Sequence, residues 1–440
     1  MSMDWLLFLF ADAGFFLNEA MLWFQSKELT ELLRIFWVMV FLEIPRYLLT
    51  DIYSLIRTNM SKPQLGRLSE HGTAGKPPLV SIIVPALNEE RLIDEVIVSL
   101  LHQDYSNFEI VVVDDGSQDN TANICAEHAR KHNIRFFPLG ERQGKSAALN
   151  YGITVASGDY LMFIDADTSY DRSAISRIMC YFNDPEVGAV SGNFKIRNQD
   201  TNFLTHMVAI EYFLSMSMGW RFKGLAGLIV CVPGWFGLYQ RSVVSATGLF
   251  EPGPGNDSDL TIKTRKIHKK IVFAPDAMSL TDAPVTWLAW IQQRMRWSRN
   301  LVKNRLRRHR DVFDVTSSNF SLSNLLAFLD NIFFLMVVPV AWVIYLVDMG
   351  FHYGEHIGMI LFTNVCLHLL LRLTQYAIAI KLSERKAMPL ELLPYLFFYG
   401  FYMAFYKLVR VISYIDELVF RRSYRDKFAP PKVQKQMPRY

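Results

Sequence analysis

The stretch Gly158-Asp159-Tyr160-Leu161-Met162-Phe163-Ile164-Asp165-Ala166-Asp167 decides how this chain folds. Tyr160 to Ile164 has the length and apolar character of a strand covered on both faces. It stops abruptly in two carboxylates, Asp165 and Asp167, two positions apart. The chain is turning at a strand's carboxyl end, so acids at that spacing stay close to one shared ligand. Two hard oxygen ligands in a crevice suit Mg2+ or Mn2+ holding a diphosphate. Taken alone, Asp-x-Asp more often marks a solvated turn. The sequence around it reverses that balance.

Outward from this stretch, residues Leu79 to about Pro284 alternate short apolar runs with helical spacing. Leu79 to Pro85 reads as a strand, Arg91 to Leu101 as a helix, and Phe108 to Asp115 as a second strand ending in acids. Helices are predicted over Thr121 to His132 and Lys145 to Ala156. Repeated strand–helix–strand units predict a mainly parallel sheet with helices on both faces. Ligands bind such sheets at the carboxyl ends of the strands. Pro85-Ala86-Leu87-Asn88-Glu89, Asp114-Asp115-Gly116-Ser117 and Asp165-Ala166-Asp167 all fall at those ends, so three polar clusters converge on one edge. Phe203 to Trp220 suits equally a buried helix or one lying on a membrane surface.

The flanks have a different texture. Of the 440 residues, 51% are hydrophobic and 14% aromatic, and the excess sits at the two ends. Trp5 to Phe24 and Leu32 to Leu49 are long enough to span a bilayer. Residues 1–57 therefore read as amino-terminal transmembrane helices and 58–78 as a linker. Residues 79–300 form the sheet domain. Residues 301–320 read as a basic interfacial segment, a solvated helix among anionic headgroups. Leu325 to Val347, Ile357 to Ile380 and Leu390 to about Ile415 are further spans, placing carboxyl-terminal transmembrane helices within 321–420, with a basic tail at 421–440. Asp330, His368 and Arg372 fall inside these spans and are expected to face protein or a wet cavity, because ionisable groups are costly in lipid. Three spans starting inside leave the tail outside, whereas its arginines favour the inside. The sequence leaves that conflict open.

The net charge of +4 is small and unevenly spread, which gives no sign of a nucleic-acid partner. Four cysteines lie far apart without a CxxC pair, so neither a disulfide framework nor a zinc site is expected.

Six clusters stand in order: Asn88-Glu89, Asp114-Asp115-Gly116-Ser117, Gly144-Lys145 opening a helix, Asp165-Ala166-Asp167, Asn256-Asp257-Ser258-Asp259-Leu260, and Gln293-x-x-Arg296-Trp297. Together they resemble the membrane-embedded processive family 2 glycosyltransferases, the cellulose, hyaluronan, chitin-oligosaccharide and poly-N-acetylglucosamine synthases. The resemblance covers Leu79 to Trp297 by motif and the flanks by layout. It implies an α/β GT-A (Rossmann-like) domain inserted between transmembrane helices. It also implies inverting transfer from a nucleotide sugar, a UDP-sugar, to a β-linked glycan acceptor. By the resemblance, Asn88, Glu89 and Asp114 line the uridine pocket, and Lys145 adds positive charge beside the nucleotide. Asp165 and Asp167 hold Mg2+ or Mn2+, and Asp257 is the general base. Gln293, Arg296 and Trp297 contact pyrophosphate and the acceptor sugar.

One position departs from the pattern. Asn256 stands where relatives often carry an acid, which leaves Asp259 as a rival base. The Gly234-Trp235-Phe236-Gly237 run borders an acceptor channel or is core packing. The resemblance further implies a multi-pass protein of a plasma membrane, the bacterial inner membrane, with its catalytic domain in the cytoplasm. Membrane lipid surrounds it, and there is room for an accessory export subunit. A glycolipid transferase adding one or few sugars would share the donor site. A silent scaffold would have no reason to keep the Asp165, Asp167, Asp257 and Gln293 set.

Overall fold

The computed structural model describes residues 18–60, 77–317, 320–385, 390–426 and 429–440. Most of the expected Trp5 to Phe24 span, and the linker up to residue 76, lie outside these residues.

The centre is one eight-stranded sheet: β1 Val80–Ala86, β2 Phe108–Asp114, β3 Ile134–Pro138, β4 Tyr160–Phe163, β5 Ser169–Tyr170, β6 Val187–Ile196, β7 Gly237–Gln240 and β8 Lys270–Thr281. The order is β3-β2-β1-β4-β7-β6-β8-β5. β1 pairs in parallel with β2 and β4, in register Ile83↔Val111 and Ile83↔Phe163. Ile82, Ile83, Val84, Val111, Val112, Leu161 and Met162 are fully buried. Each such side chain stabilises the fold by about 1.5–3 kcal/mol through burial. The Lys145–Val155 helix covers one face, and its Gly152 allows close approach, since a Cβ there would sit 2.4 Å from Ile83 Cγ2. That contact fixes where the helix begins, and so where Lys145 stands.

The expectation of a mainly parallel sheet holds only for β3, β2, β1 and β4. Beyond β4 the sheet is mixed, with β7 antiparallel to both β4 and β6 and β5 antiparallel to β8. Phe203 to Trp220 is a helix, Phe203–Leu214, continued by a π-turn, Ser215–Trp220; most of its side chains are buried against the domain and neighbouring helices. The helix that carries Asp257 and Asp259 spans Asn256–Lys266.

Three helices after the domain are long and apolar enough to cross a membrane: Leu322–His352, Gly354–Leu382 and Leu393–Phe420. A further helix runs without a break through Leu29–Trp37, Val38–Glu43 and Ile44–Met60. Leu322–His352 starts on the domain, where Asn324 Oδ1 accepts from Arg265 Nε at 3.1 Å, and ends far from it, where Asp348 meets Arg34 at 3.2 Å. Gly354–Leu382 returns to the domain, where Arg221 pairs with Glu384 at 2.9 Å. Leu393–Phe420 behaves differently, because both of its ends touch the domain. Tyr395 stacks on His206 with ring centres 3.9 Å apart, and Asp416 and Glu417 pair with Arg299 and Arg307 at 2.7 and 2.6 Å. Residues 429–440 also pack on the domain, which puts the tail on the domain's side.

The charged groups within these helices meet protein. Asp330 pairs with Lys223 at 3.4 Å, His368 with Glu43, and Arg372 hydrogen-bonds Tyr47 and, at 2.7 Å, Gln375.

The segment expected to be a solvated basic helix is corrected by the structure. Lys303 and Arg305 are buried, Arg307 pairs with Glu417, and Arg308 pairs with Glu251 and, at 2.8 Å, with Asp259. Carboxylates from distant parts of the chain neutralise Arg307 and Arg308, which look solvent-bound in sequence.

Candidate active site

The carboxyl ends of β1, β2 and β4 form the edge on which the polar clusters meet. Asn88 has a left-handed backbone (φ 56°) and bridges two strand tips. Its N–H donates to Ser117 Oγ at 2.9 Å, and its Oδ1 accepts from Gln118 N–H at 2.8 Å. Glu89 N–H donates to Thr121 Oγ1 at 2.8 Å. Burial, reinforced by Asp167, Asp165 and Asp119, raises the Glu89 carboxyl to about 7. Asp114 is buried and accepts from the Ser117 hydroxyl and, at 3.2 Å, from Ser117 N–H. Asp115 accepts from the N–H groups of Gln143 (2.6 Å) and Gly144 (2.8 Å), which anchors the turn leading into Lys145.

Lys145 pairs with Asp165. Desolvation in the cleft lowers its pKa, but the carboxylates of Asp165, Asp257 and Asp167 outweigh that and raise it overall. Burial and the neighbouring Asp165 push the Asp167 carboxyl up, with Thr168 Oγ1 donating to it at 3.0 Å. Asp165 and Asp167 thus place two like charges in one half-buried corner. No cluster of three or more His, Cys, Asp or Glu able to hold a metal occurs among the described residues. The Asp165–Asp167 pair still fits a divalent cation whose remaining ligands are diphosphate oxygens.

The cleft is walled by Lys145, Phe163, Pro233, Gly234, Asn256 and Asp257. A Cβ on Gly234 would lie 3.5 Å from Lys145 Nζ and 4.0 Å from Asp165 Oδ1, so that loop closes over the ion pair. In the Gly234–Gly237 run the core-packing expectation holds for Phe236, which is fully buried and edge-on to Tyr170, while Trp235 lies near Trp297 with ring centres 6.2 Å apart.

Asp257 and Asp259 sit in the first turn of the Asn256–Lys266 helix but differ in surroundings. Asp257 Oδ1 accepts from Ser258 N–H at 2.7 Å, and its Oδ2 is 3.6 Å from the Cys231 thiol. Asp259 is 1% exposed and bound by Lys263 (3.1 Å), Arg308 (2.8 Å) and His309 (2.8 Å). Burial acts to raise its pKa; the hydrogen bond from His309 and the charges of Arg308 and Lys263 bring it below the ordinary carboxylate value.

Gln293, Arg296 and Trp297 lie on the Trp287–Val302 helix. Gln293 Oε1 is buried with no hydrogen-bond partner among the described residues, leaving an acceptor free for a ligand. Arg294, between them, pairs with Glu211 at 2.9 Å and lies over the Trp297 and Tyr406 rings.

Sequence reasoning missed two neighbours of Asp257. Cys231 lies in an apolar run that carries no polar signal. Arg305 is 3% exposed, and its guanidinium donates to Ser258 Oγ (2.5 Å) and the Val230 carbonyl (3.1 Å). Burial lowers it to about 10, against the opposing influence of Cys231 and Asp257.

Comparison with known proteins agrees with this geometry. Residues 81–248 match the family described as Glycosyl transferase family 2. The chain is 33% identical over 221 residues to a poly-beta-1,6-N-acetyl-D-glucosamine synthase of Staphylococcus epidermidis, covering 50% of this chain and 53% of that protein. It is 31% identical over 242 residues to an N-acetylglucosaminyltransferase of Rhizobium leguminosarum bv. viciae, covering 52% and 57%. The chain thus spans about half the length of the curated relatives it matches. A mannosyltransferase from Pyrobaculum calidifontis, solved with GDP-Man and Mn2+, superposes with a TM-score of 0.60 at 20% identity, covering 86% of this chain and 96% of that one. The chain therefore has the GT-A fold, with residues 81–248 similar to family 2 glycosyltransferases, followed by three helices long and apolar enough to cross a membrane.

Proposed function

We propose that this chain is an inverting, processive glycosyltransferase that moves a sugar from a UDP-sugar to a hydroxyl of a growing β-linked polysaccharide at the cytoplasmic face of a membrane. The observation that carries this reading is the placement of Lys145, which pairs with Asp165 and lines the same cleft as Asp257. One cation thereby ties the pair suited to a diphosphate-bound metal to the carboxylate suited to activate an acceptor.

In this reading Asn88, Glu89 and Asp114 form the floor of the nucleotide pocket, and Lys145 stands beside the diphosphate. Asp165 and Asp167 would hold Mg2+ or Mn2+, which when bound stabilises the charge of the departing diphosphate. Asp257 takes the proton from the acceptor hydroxyl as that oxygen bonds to the anomeric carbon and the diphosphate leaves from the opposite face. Arg296 and Gln293 serve the pyrophosphate side. Trp297 and Trp235 offer flat apolar surfaces on which an acceptor sugar stacks. From these rings Arg294 leads to Tyr402 and Tyr406 of the Leu393–Phe420 helix, a polar and aromatic seam between the sheet domain and that helix. Of the three long carboxyl-terminal helices, two cross the bilayer. Leu393–Phe420 lies along the boundary between domain and membrane, which keeps the tail with the catalytic domain.

The test is incubation of the purified protein in lipid nanodiscs with labelled UDP-sugars and Mg2+ or Mn2+. N-acetylglucosamine comes first, because the curated relatives are named for it. A ladder of glycan lengths is expected. Label ending only in a lipid of one or two sugars would make the chain a glycolipid transferase, and an unconsumed donor panel would overturn both.

A further inference from the structure

We infer that residues 429–440 act as a strap that sets the position of the loop carrying Lys145 against the loop carrying Asp257, with Val433, Met437 and Tyr440 as positioning residues; this rests on the roles proposed above for those two side chains.

The strap touches both loops at their glycines. Gly144, the residue before Lys145, has φ +94°, and a Cβ there would lie 3.2 Å from Val433 Cγ2 and 3.4 Å from Pro430 Cδ. Gly253, four residues before Asp257, has φ +107°, and a Cβ there would lie 2.6 Å from Met437 Sδ. Val433 and Met437 are buried, clustered with Tyr424. Tyr440 completes the contact, because its hydroxyl donates to Glu251 at 2.7 Å and its ring lies under Arg308 at 5.3 Å.

The two loops are already stitched to each other. Ser146 Oγ donates to the Glu251 carbonyl at 2.8 Å and accepts from Asn256 Nδ2 at 3.2 Å. Glu251 also binds Arg308 and, at 3.2 Å, Lys263, the same cations that hold Asp259. The strap therefore closes a frame around the first turns of the two helices that bear Lys145 and Asp257. A frame of this kind matters for rate, since misplacement of a reacting group by about 1 Å costs on the order of 10²-fold.

The experiment uses the full chain in nanodiscs, with Val433→Asp/Met437→Asp to lift the strap and Val433→Ile/Met437→Leu as the conservative control. Hydrogen exchange is read at 141–147 and 250–258, beside kcat and donor KM. Expected are exchange at least about tenfold faster in both loops and kcat lower by about tenfold or more, with donor KM within about threefold and recovery in the control. Unchanged exchange in both loops overturns the strap. Faster exchange with unchanged kcat overturns its positioning role. Should the aspartates unfold the domain, Met437→Ala alone repeats the comparison with the same criteria. If the unaltered protein transfers no sugar at all, the exchange arm still decides the strap, so failure of the enzyme reading is told apart.

Discussion

Asp257 and Asp259 are two residues apart on one helix, yet Asp257 lines the cleft beside the Cys231 thiol while Asp259 is enclosed by Lys263, Arg308 and His309. Asp257→Asn should fold normally and keep donor affinity, while transfer drops by at least about a hundredfold. Asp259→Asn should instead unfold more easily, by roughly 3 kcal/mol, because it strips a partner from buried cations. Transfer rate, calorimetric donor affinity and denaturant unfolding of both variants separate the two roles. A stable, inactive Asp259→Asn beside an active Asp257→Asn would reverse the assignment.

Asp165 and Asp167 can be tested without turnover. Asp167→Ala should abolish the gain in UDP-sugar affinity produced by Mg2+ or Mn2+, and chelation should do the same to the unaltered protein. Titration calorimetry with and without metal measures this, and a metal-dependent affinity unchanged in Asp167→Ala would contradict it.

The His309 imidazole gives the fold an acid sensitivity. Burial lowers its pKa below 6.5 despite its bond to Asp259, and Lys266 Nζ, 2.9 Å from Nδ1, adds to the lowering. The unfolded chain therefore takes up the proton first. Stability is full above 6.5 and declines as pH falls from there to the lower folded value, by about 1.4 kcal/mol per pH unit. Glu89, raised to about 7, gives a slope of the opposite sign over the same window. The His309 contribution is therefore read as the difference in unfolding free energy between the unaltered protein and His309→Gln, which should grow less favourable to the unaltered protein from pH near 7.5 to near 5.5.

The course of Leu393–Phe420 predicts membrane sidedness. Single cysteines at Glu391 and Arg422, in a chain with its four natural cysteines replaced, should react with an impermeant thiol reagent from the same side of sealed vesicles, the side of the sheet domain. Labelling from opposite sides would mean that this helix crosses.

The first half of the sheet was legible because β1, β2 and β4 are apolar runs cut off by acids or by Asn88-Glu89. The second half was not. β6 is buried along its whole length but contains Ser191, Asn193 and Lys195, whose polarity hides a core strand. β7 is four residues beginning at Gly237 and reads as part of a glycine-bounded loop. At the site, the residues that define the cleft were visible in order and spacing. The supports were not, because Arg305 reaches Ser258 across 47 residues of sequence and Arg307 reaches Glu417 across 110. Local pattern gives a cation's position, and only the fold gives its partner.

Glu43 is held by His368 and, at 2.6 Å, by Lys407, 325 and 364 residues later in the chain. During synthesis the helix bearing this carboxylate is made long before either partner exists. At typical elongation speeds of about 5–20 residues per second the delay is tens of seconds. An ionisable group buried without a partner is costly, so Glu43 stays in contact with water until the later helices arrive. Completion of this helix cluster is thereby tied to arrival of the last long helix, after the whole sheet domain has emerged. Chains cut short before residue 368 would carry an orphaned acid, a mark by which quality control can distinguish them from finished ones.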